Sequence, residues 1–140
     1  MTQATSANHP SVLRQRFHTT CCVCGQSHGL GLRFEPAEDG AVAATFECHR
    51  RYEGYEGIIH GGVVASLLDG AMTNCLFHAG HTALTADLRV RFRHPVQVGI
   101  PATVRARITR SAGPLFYLAA EIVQEGQVKA KGVGTFFRQR

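Results

Sequence analysis

The run HGGVVASLLDG, from His60 to Gly70, constrains this chain more than any other stretch. Wound at about 100° per residue, Gly62 to Phe77 places Val64, Leu67, Leu68, Ala71 and Cys75 on one broad apolar face. Gly62, Ser66, Asp69 and Thr73 fall in a narrow wedge opposite. A helix with such a face has to be covered by another layer of structure. Every member of the wedge is small or polar, whereas a solvated helix face would carry Lys, Glu or Arg. The wedge therefore reads as a surface that lets something approach a carboxylate closely. The plainer alternative is that Gly61 and Gly62 form a tight turn and Asp69 is simply solvated.

The glycines favour the first reading. Without a Cβ, the backbone at Gly61 and Gly62 can be approached closely. The first N–H groups of a helix lack intrahelical partners, and the helix dipole adds partial positive charge there. Such an end stabilises a developing oxyanion. An oxyanion site with a carboxylate two turns further along is the minimum equipment for hydrolysing an activated acyl group.

Gly80 closes the helix, and strict alternation follows. Leu84, Ala86, Leu88, Val90 and Phe92 are expected on one strand face, with Thr85, Asp87, Arg89, Arg91 and Arg93 on the other, up to the stop at His94-Pro95. Thr103–Thr109 alternates again, a turn falls at 111–114, and Phe116, Leu118, Ala120 and Ile122 line a further strand. Glu125-Gly126 signals a hairpin into a last strand from Val128 to Phe137. Before the helix, Val42, Ala44, Phe46 and Cys48 mark a strand, and Leu30–Phe34 is read as an added edge. Two strands, a long helix and four strands predict an α+β domain with an antiparallel sheet covered by one helix.

At 140 residues with a net charge of +5, the chain has the size of one domain, and its basic residues are dispersed rather than blocked. Residues 1–16 are polar and are expected to form a flexible segment, neither signal peptide nor membrane span, ahead of a domain at 17–140. No apolar run reaches transmembrane length, and the expectation is a cytoplasmic protein with no membrane partner. With no Trp, three Tyr and no helix-turn-helix pattern, nucleic acid is not an expected partner, whereas a small anionic ligand suits the charge.

Taken together, YEGYEGIIHGGVVASLLDGAM and the downstream TALTADLRVRFRHPV resemble the hot-dog-fold acyl-CoA thioesterases, of the branch that holds the phenylacetate-pathway and the mitochondrial long-chain enzymes. The resemblance covers about Tyr52 to Phe137. It implies a hot-dog fold, an antiparallel sheet wrapped around one long central helix. Asp69 matches the family's catalytic carboxylate, as general base or nucleophile, and Gly61 the backbone donor that polarises the thioester carbonyl. His60 matches the loop histidine near the reacting centre. Thr85 matches a threonine completing the site from the opposing protomer, and Thr73 one that positions water. Gly62, Arg91 and Arg93 match substrate-binding positions, the arginines on the coenzyme A nucleotide. The implied assembly is a homodimer or homotetramer with acyl-CoA as substrate and no cofactor. The chemistry agrees: a thioester is activated, so a carboxylate and an oxyanion donor suffice, and Arg pairs well with phosphates. The rival readings are a non-catalytic acyl-CoA-binding protein, a hot-dog dehydratase or hydratase, and a zinc-dependent nucleic-acid module.

The last rival arises from Cys21-x-x-Cys24, His28 and Cys48. One CxxC is necessary but not sufficient for zinc, and Cys48 falls on a strand as a core residue would. The expected site contains no metal, with these four residues as the donors if zinc is bound. Cys75, on the apolar helix face, reads as packing.

Overall fold

The alternating segments become strands because each has one face to bury against the helix. In the computed structural model, which describes residues 7, 9–25 and 29–139, the order is α1 (Pro10–Phe17), β1 (Glu35–Pro36), β2 (Val42–Phe46), α2 (Gly61–His78), β3 (Ala83–Phe92), β4 (Ala102–Ala112), β5 (Leu115–Gln124) and β6 (Gln127–Arg138). They form one six-stranded sheet in the order β1-β2-β4-β5-β6-β3, with every pairing antiparallel. This is the expected hot-dog arrangement. The β5–β6 connection is the two-residue hairpin Glu125-Gly126, both at positive φ (49° and 76°), as a type I′ turn requires.

α2 lies against the sheet, with Leu67, Leu68, Ala71 and Met72 fully buried. Two glycines of β6 set how close it comes. A Cβ at Gly134 would sit 2.6 Å from the Met72 sulfur, and one at Gly132 3.3 Å from the Met72 methyl. Their missing side chains are filled by the helix. Gln124 ties the far end of the sheet to the loop before β4. Its amide donates to the carbonyls of Gln97 and Ile100 and accepts from the Gln97 N–H, all within 2.9 Å. That loop carries Pro95 and Val96, which wall the cavity described below. No helix among the described residues is long and apolar enough to cross a membrane.

Three local expectations change. The stretch 1–16 was expected to be flexible, yet Pro10–Phe17 is helical, with His9 as N-cap and Leu13 buried. Leu13 is the buried residue of this short, polar helix, and its burial comes from packing on α2. Leu30–Phe34 is not an edge strand; the ladder partner of β2 is Glu35–Pro36. Most consequentially, the alternation along β3 is broken. Pairing with β6 shifts between Thr85 and Asp87, so Ala86 is an extra residue, a β-bulge. Leu84 pairs with Phe137 on the outer face and is 64% exposed. Thr85 pairs with the fully buried Phe136 and so shares the helix-facing side with Leu88 and Val90.

Candidate active site

α2 begins at a built N-cap. His60 holds an extended backbone (φ −55°, ψ 135°), and its Nδ1 accepts from the Gly62 N–H at 2.8 Å. A ring nitrogen that accepts in this way directs Nε2 away from the helix end. The Gly62 N–H is thereby spent on the cap. The Gly61 N–H carries no hydrogen bond among the described residues and points out of the helix end.

Gly61 borders a cavity of about 800 Å³. Ile58, Ile59, Val64, Phe92, Pro95 and Val96 make most of its wall apolar, and Tyr55, His60, Arg93 and His94 bring the polar groups. The Phe92 ring lies 3.5 Å from where a Cβ on Gly61 would be, close over the helix end. Arg93 is part of this lining, whereas Arg91 is not and stands exposed on β3. The two arginines therefore separate, although the sequence reading treated them alike.

Asp69 is half-buried on the same helix. The Thr85 hydroxyl donates to its Oδ1 at 2.6 Å within one chain. The resemblance implied that this threonine comes from the opposing protomer. The bulge at Ala86 overturns that, because it turns Thr85 toward its own helix. Oδ2 carries no protein hydrogen bond among the described residues.

The rest of the wedge divides. Ser66 donates to the Gly62 carbonyl, a bond within the helix that keeps it on the open half of α2. Thr73 does not reach the carboxylate. It is 7% exposed and donates to the Asp69 backbone carbonyl at 3.1 Å. Its burial follows from the cover over the C-terminal half of α2: Val23 packs on Gly70, and His18 meets Phe77 edge-on.

The cysteines also divide. Cys21 and Cys24 come together with His18, a residue the sequence reading passed over although His-x-x-Cys-x-x-Cys is a regular spacing. The hydrogen bond between the thiols holds Cys21 well below the usual thiol range and Cys24 above it. Cys48 lies elsewhere in the core, accepting from Gln124, and burial pushes its thiol up to about 11. Burial does the same to Cys75, also to about 11. His28 lies outside the described residues.

Residues 56–131 match the profile of the thioesterase superfamily. The chain belongs to that superfamily. A curated relative, acyl-coenzyme A thioesterase THEM4 of Bos taurus, is 24% identical over 119 residues, covering 81% of this chain and 49% of its own. The chain spans about half the length of the curated relatives it matches. Among solved structures, a thioesterase superfamily protein is 28% identical, with a TM-score of 0.75 over 80% of this chain and 58% of its own. A Streptococcus mutans protein solved bound to acetyl-CoA superposes with a TM-score of 0.72 at 20% identity, covering 77% of this chain and 88% of its own. These superfamily matches agree with the hot-dog topology seen here.

Proposed function

We propose that this protein hydrolyses an acyl-CoA to the free acid and coenzyme A, with Asp69 driving the attack of water on the thioester carbonyl. The observation that carries the reading is the Asp69 carboxylate, tethered through one oxygen by Thr85 and open at the other. Tethering fixes the orientation of a general base without consuming its acceptor oxygen. Asp69 takes a proton from water as the oxygen attacks the carbonyl carbon. The oxyanion is received by a helix N-terminal N–H, that of Gly61. Collapse then breaks the C–S bond, and the departing thiolate takes the proton held by Asp69. The apolar cavity beside Gly61 suits the acyl or pantetheine portion. Arg93 at that cavity suits a coenzyme A phosphate. The relative named as an acyl-coenzyme A thioesterase and the fold neighbour bound to acetyl-CoA support the substrate class.

The spacing of two groups on α2 supports a pair of chains as the working unit. Gly61 and Asp69 are eight residues apart on one helix, about 12 Å along its axis. A carbonyl whose oxygen meets one and whose attacking water meets the other needs both within a few ångströms. This distance supports a site in which Gly61 of one chain serves Asp69 of a second. The edge strand β3 supports that pairing: among the described residues its outer side is unladdered, and Leu84 and Phe92 near its two ends are 64% and 55% exposed. An unpaired ten-residue edge offers its backbone groups to a partner strand, and a two-fold axis there would give two equivalent sites.

The test is thiol release from short, long and aromatic acyl-CoAs by the purified protein and by Asp69→Asn. Hydrolysis is expected, with the variant slower by at least about a hundredfold while still binding coenzyme A. Binding without release in the native protein would favour a non-catalytic acyl-CoA-binding role instead.

A further inference from the structure

We propose that His18, Cys21 and Cys24 bind one zinc ion, and that this ion is structural, locking the turn after α1 onto the C-terminal half of α2. The three donor atoms lie within 4.8 Å of one another with no ion present. Zinc bonds of about 2.3 Å to sulfur and 2.0–2.1 Å to nitrogen, at tetrahedral angles, put sulfur and nitrogen ligands about 3.6 Å apart and two sulfurs about 3.8 Å apart. His18 Nδ1 and Cys24 Sγ are 3.5 Å apart. That edge already has the length a zinc tetrahedron requires, and the other two need to close by no more than about 1.2 Å.

The surroundings are built in the manner of a metal knuckle. The Val23 N–H points at Cys21 Sγ from 3.3 Å, the outer-shell contact that orients and stabilises a ligating thiolate. The chain closes so tightly around Cys21 that a Cβ at Gly25 would come within 2.4 Å of the Cys21 carbonyl oxygen, and one at Gly29 within 2.2 Å. Only glycine fits either place. The edge-on contact with Phe77, centroids 5.0 Å apart at 82°, fixes the His18 ring plane. A fourth ligand such as water has room, because a cavity of about 360 Å³ opens against His18 and Cys24 between Arg14, Gln15 and Gly25. Two thiolates neutralise the ion, so the neighbouring Arg14 does not oppose its binding.

The structural consequence follows from what the knuckle touches. Val23, between the two cysteines, fills the place of a side chain at Gly70, where a Cβ would lie 2.5 Å from its Cγ1. Gly70 adjoins Asp69. The ion would therefore hold a buttress against the helix turn that carries the carboxylate, without touching the acyl chemistry.

The test uses zinc and cobalt on the full chain. Protein grown with zinc and purified under reducing conditions should contain one equivalent by elemental analysis. Stripped protein should take up one Co²⁺ with the absorption of a tetrahedral thiolate site. Cys24→Ser and His18→Ala should each weaken metal binding by more than about tenfold, since even outer-shell changes cost 10–100-fold. Cys22→Ser, at the exposed neighbouring cysteine, should leave it unchanged. Chelation should lower the thermal midpoint, and added Zn²⁺ should restore it. Folded, reduced native protein that takes up no stoichiometric Co²⁺ overturns the proposal, as does an undiminished cobalt spectrum in Cys24→Ser. The cobalt titration of the native chain decides the matter even if a variant fails to fold.

Discussion

Replacing Gly61 by proline removes a single atom pair, the backbone N–H assigned to the oxyanion, and the structure indicates that little else changes. Gly61 is the first residue of α2, the one helical position where proline is favoured, because the N–H there has no intrahelical acceptor. His60 before it has ψ of 135°, within the extended range that proline imposes on its predecessor. The nearest atom to a Cβ at this position is the Phe92 ring at 3.5 Å, an ordinary contact. The thermal midpoint of Gly61→Pro should therefore stay close to that of the native protein. Loss of one oxyanion donor costs about 2.7–4 kcal/mol of transition-state stabilisation, a fall of about 10²–10³ in kcat. Gly61→Ala keeps the N–H and adds the same Cβ, so it should retain near-native kcat. Thiol release measured side by side on the three proteins separates the cases. If Gly61→Pro and Gly61→Ala turn over alike, the Gly61 N–H does not act on the oxyanion. Because Gly61 and Asp69 of one chain are too far apart to share a carbonyl, refolding Gly61→Pro together with Asp69→Asn should regain activity. One site of each mixed pair then carries both lesions and the other neither.

Two further outcomes follow from individual contacts. Thr85→Val removes a hydrogen bond to a charged group on the surface, where the low end of such bonds, about 1.5 kcal/mol, corresponds to about a tenfold loss of kcat. Thr85→Ser should restore most of it, and mixing Thr85→Val with Asp69→Asn chains should regain nothing, because the contact is made within one chain; recovery in that mixture would place Thr85 in the partner's site. For the arginines, Arg93→Ala should raise KM for a full acyl-CoA by about tenfold, the worth of one phosphate contact, and should not affect a pantetheine thioester lacking the nucleotide. Arg91→Ala should change neither, and an equal effect of both on steady-state kinetics would mean that their role is structural.

The fold and the candidate site residues on α2 were legible because they rest on short-range patterns. The helical period of Gly62–Phe77, the period-two runs downstream and the Glu125-Gly126 turn each follow from backbone geometry that neighbouring residues impose on one another. Asp69 could be singled out because it stands among small residues on a helix face where a solvated surface would carry Lys, Glu or Arg. What the sequence alone did not determine depends on contacts between distant segments. A β-bulge is a mismatch of one strand against another, so Ala86 gives no sign within β3 that Thr85 will face Asp69 of its own helix. Nor does the wedge reveal that Thr73 is covered, since the cover is supplied by residues some fifty positions earlier in the chain. The joining of His18 to Cys21 and Cys24 depends on a turn packed onto α2. The separation of Arg93 from Arg91 depends on where the chain leaves the sheet. Periodicity determined the long helix and the main strands; register and packing decided which faces β3 turns inward and which side chains meet, because those follow from the whole chain's closure and not from any stretch of it.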